Sequence, residues 1–404
     1  MGPGFLLLTV AAILIVALLL QPLTERFFLP LPALLVLGGF AGTGILGQLG
    51  YPVQIEESLL HDLILYAFLP LLVFSAAFRI QAGLLRRKLW LILFLAIPGL
   101  LISLGVIAAL VYYGIDHPTG FPWIAAFLTG AVICATDASP LTNHFARLGI
   151  DRTLRATLEG EDLFNDAVAI VVFGILVYIA LHPEESIGTA DVLLRFLVMM
   201  FGGTLTGLLT GVAFLLLSRL FDDHLHQMLV TLIAGFSAYL LAQEVLHVSG
   251  IMAVLVIGLI MGRTIHHDFQ DERGTFVDEF WRFSAFAVES LMFVLTGMLL
   301  SLAMFEQRWL AMLIGIGALV AGRVATVVTG AALLRRLGHS LTPGWYPVLI
   351  GGSLRGTVVL VLALAIPTSL PYWWTIQSMA LGVVLFSLFV QAPFALYLLS
   401  RRDS

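Results

Sequence analysis

Residues 159–180 read EGEDLFNDAVAIVVFGILVYIA. Four carboxylates, Glu159, Glu161, Asp162 and Asp166, fall within eight residues, and the stretch then runs without charge to Ala180. In a helix, residues 159, 162 and 166 share one face, and Glu161 and Asn165 share the adjacent one. If the helix starts near Thr153, Asp166 lies about 20 Å along it. In a bilayer that is near mid-depth, so the stretch reads as a membrane span with acids in its interior.

The rest of the chain has the same character. It is 60% hydrophobic and 11% charged over 404 residues, with mean hydropathy +1.03, which excludes an ordinary soluble domain. Apolar stretches of about 20 residues, each able to cross a hydrocarbon core of about 30 Å, recur throughout. The short alternating segments of a membrane β-barrel are absent. Thirteen spans are expected, near 4–21, 27–48, 58–79, 88–113, 121–146, 153–181, 190–219, 225–244, 248–264, 283–304, 308–334, 344–369 and 373–400. The fold class is therefore an all-α polytopic membrane protein, with 1–404 read as a single transmembrane domain and no soluble domain. The first span has no basic segment before it and no clear cleavage site, so it reads as a retained helix.

Basic residues orient the spans. With the N-terminus outside, sixteen Arg and Lys fall in inside loops, among them Arg26, Arg79, Arg86, Arg87, Lys88, Arg147, Arg155, Arg335, Arg401 and Arg402, against Arg195 and Arg308 outside. The positive-inside rule then places the C-terminus in the cytoplasm of a cell whose inner (plasma) membrane holds the chain. Outer loops carry acids instead, among them Glu56, Glu57 and Asp116. Cys134 is the only cysteine, so an intrachain disulfide and a cysteine metal site are both excluded. The tracts FDDHLH (221–226) and HHDFQDER (266–273) read as solvated cytoplasmic loops rather than metal or pH-sensing clusters. No GxxxxGK[ST] appears, so energy would come from an ion gradient rather than ATP.

Thirteen spans divide as six, one and six: 1–181, a linker helix 190–219, and 225–400. The fifth span of each half is interrupted, by Pro140 and small polar residues in ICATDASPLTNHFARLG and by three glycines around Ser353 and Arg355 in VLIGGSLRGTVVL. Broken helices at matching positions of two halves point to a midplane binding site in an inverted-repeat carrier. An ionisable group at the bilayer centre costs about 3 kcal/mol on insertion scales, so each needs a partner or a purpose. Asp137, Glu161, Asp162, Asp166, Glu289, Arg323 and Arg355 are such groups; Glu159 reads as a solvated acid at the inner mouth. Asp162 and Asp166, four apart, repel when both are ionised and titrate as a coupled pair. Such a site holds a proton or a small cation, not both. Glu161 reads as the partner of Arg323 or Arg355. Glu289 is open between a protonated or helix-contacting role and a place in the site.

ATDASP (135–140), EGEDLFNDAVAIVVF and GGSLRGTVVLVLAL lie in the order of three motifs of one family. They resemble the ATDP, ESLFND and GGLRG elements of the NhaP-type monovalent cation/proton antiporters, prokaryotic relatives of the animal sodium/proton exchangers. The resemblance covers essentially all spans. It implies two inverted six-helix repeats whose discontinuous fifth and twelfth spans cross, in a homodimer surrounded by membrane lipid. It implies a transporter rather than an enzyme, with no cofactor and no nucleic-acid partner. Its cargo would be a proton and sodium, with lithium or potassium as alternatives, held at Asp166 and Thr136, to which the reading of the residues themselves adds Asp162. Asp137 and Asn165 would complete the site, Asn165 bracing the crossing. Glu161 would pair with Arg323, and the charge of Arg355 would meet helix ends or an inner-mouth acid. The Asn165–Asp166 pair resembles the branch that exchanges one cation for one proton electroneutrally.

Two positions depart from the family pattern. Asp162 stands where the family usually has Ser, and Ser75 in LPLLVFS stands where it usually has an acid, which makes Ser75 a possible site neighbour. A compensated swap would move one oxygen ligand from the third span to the sixth. The readings weighed against an antiporter are a solute or anion symporter of the same general fold, and a cation channel or sensor.

Overall fold

A computed structural model describes residues 3–27, 29–48, 61–80, 82–115, 120–137, 152–185, 187–221, 223–268, 272–336 and 345–400. Pro140 with the rest of the first interruption, Arg147, Glu56, Glu57, Asp116, Arg401 and Arg402 lie outside the described residues. The helices are α1 (Pro3–Phe27), α2 (Leu31–Gln48), α3 (Leu69–Arg79, preceded by a π turn over Ile64–Phe68) and α4 (Ala82–Phe94 and Leu100–Gly114). There follow α5 (Trp123–Cys134), α6 (Arg152–Leu181), α7 (Thr189–Ser218), α8 (His224–Leu240), α9 (Gly250–Asp268), α10 (Glu272–Leu299) and α11 (Leu302–Arg336). The last two are α12, in two pieces (Trp345–Gly351 and Thr357–Leu364), and α13 (Trp373–Phe386 and Ala392–Ser400). The pieces of α4 join through a π turn that contains Pro98, whose missing N–H cannot continue the regular ladder.

Among the described residues nine helices are long and apolar enough to cross a membrane, and Ala11–Pro22, Trp123–Cys134 and Gly250–Ile265 are shorter apolar helices. Length therefore supports nine of the thirteen expected spans directly. Leu193, Leu194, Leu205 and Leu209 of α7 are exposed, a surface suited to lipid rather than water. Arg308, expected outside at the start of the eleventh span, sits at a kink near the start of α11 with φ −128° and ψ 17°.

Packing obeys a seven-helix shift. The pair α2 with α10 has its counterpart in α9 with α3, α4 with α5 in α11 with α12, and α4 with α6 in α11 with α13. The pairs α1 with α2 and α1 with α10 map onto α8 with α9 and α8 with α3, and α4 packs on α11, its own counterpart. Seven segments separate each helix from its mate, and the mates α4 and α11 run antiparallel, with Phe94 beside Gly330, Gly99 beside Thr326 and Ser103 beside Gly322. Small residues allow the tightest crossings. A Cβ on Gly39 of α2 would strike the Val294 carbonyl of α10, and one on Gly297 of α10 the Val36 carbonyl of α2. Close backbone approach of this kind is how membrane helices gain packing where lipid is as apolar as the side chains.

Candidate functional site

The two interruptions meet. α5 stops at Cys134, Ala135 turns to extended backbone (φ −58°, ψ 136°), and the Asp137 N–H donates to the Leu354 carbonyl at 2.9 Å. Among the described residues this is the single extended pairing. It fastens the end of α5 to the gap in α12. Broken helices leave unsatisfied carbonyls at C-termini and N–H groups at N-termini. Arg355 answers the first kind: fully buried, it donates from Nε to the Ile133 carbonyl of α5 at 2.8 Å and from Nη1 to the Ser353 carbonyl at 2.8 Å. Asp137 answers the second, its Oδ2 accepting from the Thr357 N–H at 3.3 Å where the second piece of α12 begins. An anion at that helix end is favoured by the local dipole.

Gly356 makes this contact possible, because a Cβ there would overlap the Asp137 carboxylate. Gly356→Ala is therefore expected to displace Asp137 and lower ion exchange at least tenfold while the protein still folds. Initial rates in proteoliposomes, with size-exclusion profiles as the folding control, check it.

Beside the crossing, Glu161 of α6 and Arg323 of α11 form a two-pronged buried ion pair, with Arg323 Nη2 donating to Glu161 Oε2 at 3.1 Å and Nη1 to Oε1. Arg323 Nε also donates to the Leu349 carbonyl, 2.7 Å away in the first piece of α12. The pair thus joins three helices, which suits an arginine's fixed fork of donors.

A cavity of about 230 Å³ adjoins these contacts. Its walls include Asp162 and Asp166 of α6, Thr136 and Asp137 beyond α5, Thr357 of α12 and Glu289 of α10. Arg79 of α3 and the Arg155–Glu159 pair of α6, joined at 2.7 Å, line it as well. Both members of that pair are partly exposed, and Arg79 is exposed, so these groups mark the mouth. In the wall, Thr136 Oγ1 and Asp166 Oδ1 are buried oxygens without a hydrogen-bond partner among the described residues, as is Asn165 Oδ1, next to Asp166 in the chain. A buried acceptor left so costs about 1–3 kcal/mol, a deficit that a proton, a cation or a water relieves. The donor set is all oxygen, which suits a hard cation and offers nothing to a soft metal.

Asp162, Asp166, Asp137 and Thr136 are brought together in the cavity wall; Asn165 is buried and is not among the lining residues. Ser75 is not. It is fully buried and donates to the Trp281 carbonyl of α10 at 2.9 Å, while α3 turns Leu72, Val73, Ala76 and Arg79 to the cavity. The expectation of Ser75 as a site neighbour is corrected: one residue along a helix is a turn of about 100°. Glu289, left open by the sequence, lies in the wall. Arg79 and Arg155 were read only as inside-loop charges, and nothing in their local sequence distinguishes them from the others.

Residues 9–398 match the family model described as "Sodium/hydrogen exchanger, transmembrane". The chain is 34% identical over 333 residues to the Na(+)/H(+) antiporter ApNhaP of Aphanothece halophytica, covering 82% of this chain and 63% of that one. It thus spans less than two thirds of that relative's length. It is 33% identical over 362 residues to the Na(+)/H(+) antiporter NhaP of Pseudomonas aeruginosa, covering 86% of this chain and 84% of the relative. Its fold is similar to that of the sodium proton antiporter MjNhaP1 from Methanocaldococcus jannaschii at pH 8, with TM-score 0.80, 22% identity and 99% of each chain covered. A match over nearly the whole helical chain, with the end of α5 meeting the gap in α12 beside a carboxylate-lined cavity, settles its affiliation: the chain belongs to the sodium/hydrogen exchanger family of transmembrane proteins.

Proposed function

We propose that the protein is a secondary antiporter exchanging a monovalent cation, sodium foremost, for a proton. The observation that carries this reading is the cavity: Asp166, Asp162 and Asp137 converge beside oxygens that lack donors, where the end of α5 meets the gap in α12. Cation and proton compete for the same oxygens. Sodium arriving at Asp166, Asp162 and Thr136 displaces a proton, the helices that bear the crossing shift against the rest, and protonation on the other side releases the cation. The repeat of packing across α1–α6 and α8–α13 supports such alternation, since one arrangement can be exchanged for its mirror counterpart across the membrane.

In the proposed orientation, with the N-terminus outside in the plasma membrane, the mouth beside Arg79 and Arg155 faces the cytoplasm. A tenfold gradient is worth about 1.4 kcal/mol per ion, so one-for-one exchange runs with whichever gradient is steeper. A homodimer is the proposed assembly. The test is sodium-induced pH change in proteoliposomes carrying the purified protein, repeated with lithium and potassium. Electroneutral exchange predicts a rate independent of an imposed membrane potential. No response to any of the three cations at any pH between about 6 and 9 overturns the proposal.

Asp162 sets the finer expectation. Asp162→Asn should raise the sodium concentration for half-maximal exchange about tenfold, the effect of losing about 1.4 kcal/mol of cation binding. The same response to sodium in variant and parent would remove Asp162 from the site.

A further inference from the structure

A second charged feature lies away from the cavity, where α4 and α11 reach the end of the bundle. Arg86, Arg87 and Lys88 open α4 and are exposed; Arg335 and Arg336 close α11 and are exposed. The two helices pack together and run antiparallel. A Cβ on Gly330 would lie 2.9 Å from Phe94 Cε1, so those two residues mark one depth. Lys88 and Arg336 each lie six residues beyond that level toward the same end, about 9 Å at 1.5 Å per residue. Five cations therefore gather at one level on adjoining helices.

Among the described residues, the segments that flank them carry no acid. Residues 82–114, 309–336 and 345–400 contain no Asp or Glu. Glu159 of α6, the helix packed on this part of α4, is engaged by Arg155. Lys88 Nζ lies over the Trp345 ring, 5.6 Å from its centre, which ties the patch to the first piece of α12. On the membrane side the cations are followed by Leu89, 36% exposed, and Trp90, 63% exposed. Cations at the water boundary with an exposed indole just beneath have the two-part chemistry of a phospholipid: an anionic phosphodiester above and acyl chain below.

We propose that Arg86, Arg87, Lys88, Arg335 and Arg336 form a binding site for an anionic phospholipid, its headgroup held by the cations and its chains against Trp90. In the proposed orientation the lipid belongs to the cytoplasmic leaflet. A headgroup spanning the ends of α4 and α11 steadies the helix that carries Arg323 and, through Lys88 and Trp345, the entry to the broken helix. The exposed Trp90 and Leu89 favour lipid over free phosphate, which has no use for them.

The test uses the full chain in nanodiscs of phosphatidylcholine alone or with one fifth phosphatidylglycerol, reading the melting temperature and the phosphatidylglycerol retained after delipidation. The parent protein is expected to melt several degrees higher with phosphatidylglycerol and to retain it. Each cation removed should lower retention about fivefold, so Arg86→Gln/Arg87→Gln/Lys88→Gln loses both effects, as does Arg335→Gln/Arg336→Gln in part. Arg86→Lys/Arg87→Lys should keep them. The matched control Arg219→Gln/Arg263→Gln/Arg282→Gln, which removes exposed cations elsewhere on the same face, should behave as the parent. The proposal is overturned if the control loses phosphatidylglycerol as the patch variant does, if the patch variants retain it, or if millimolar inorganic phosphate reproduces the stabilisation. These readouts require no transport, so they stand apart from the antiporter assignment.

Discussion

Asp166→Asn abolishes cation-driven proton movement in proteoliposomes, to the level of empty vesicles, while leaving the protein folded. The side chain is nearly isosteric, and the carboxylate it replaces has a buried oxygen without a donor, so no hydrogen bond of that atom is lost. Asn cannot take up a proton in this range, and it carries no charge to draw a cation from water. Both cargoes lose the group they share. Removing one of several neighbouring acids, Asp162 and Asp137 among them, also relieves repulsion. The melting temperature of the variant should therefore equal or exceed the parent's, and sodium should no longer shift it. Residual sodium-dependent exchange above a few per cent of the parent rate would move the shared site to another residue.

The second large effect falls on stability. Arg323→Met leaves Glu161 buried without its cation and frees the Leu349 carbonyl of α12. Breaking one side of a buried pair costs about 3–5 kcal/mol, much of it from the charge left behind. The variant should give low yields of folded protein and a melting temperature lower by many degrees. Glu161→Met/Arg323→Met removes both charges, and its folding should recover in large part. If the double variant is as unstable as Arg323→Met, the pair acts through its individual hydrogen bonds rather than through charge balance.

These two expectations separate residues that look alike in the sequence. Glu161 and Asp162 are adjacent acids in one motif, yet about 100° of helix rotation sends one to Arg323 on α11 and the other into the cavity. Periodicity alone identified the shared face of Glu159, Asp162 and Asp166, because local helix geometry determines it. The partner of Glu161 depended on which helix packs there, and the residues left Arg323 and Arg355 both open. The structure gives Arg323 to the carboxylate and Arg355 to the carbonyls of α5 and α12. Ser75 shows the reverse. Its motif position suggested the site, but the rotation of α3 against α10 turns the hydroxyl to the Trp281 carbonyl.

The sequence by itself determined the class of the molecule, its interrupted helices and its intramembrane acids. Hydrophobic length, glycine and proline placement, and the cost of charge in lipid are properties of single segments, readable without knowing any neighbour. Only the tertiary structure decided that the Asp137 N–H meets the Leu354 carbonyl, that Glu289 joins the cavity, and that five cations from opposite ends of two helices share one level. Those facts depend on how helices far apart in the chain rotate and slide against one another. Side-chain packing between backbones sets that relation, and no stretch of sequence contains it alone.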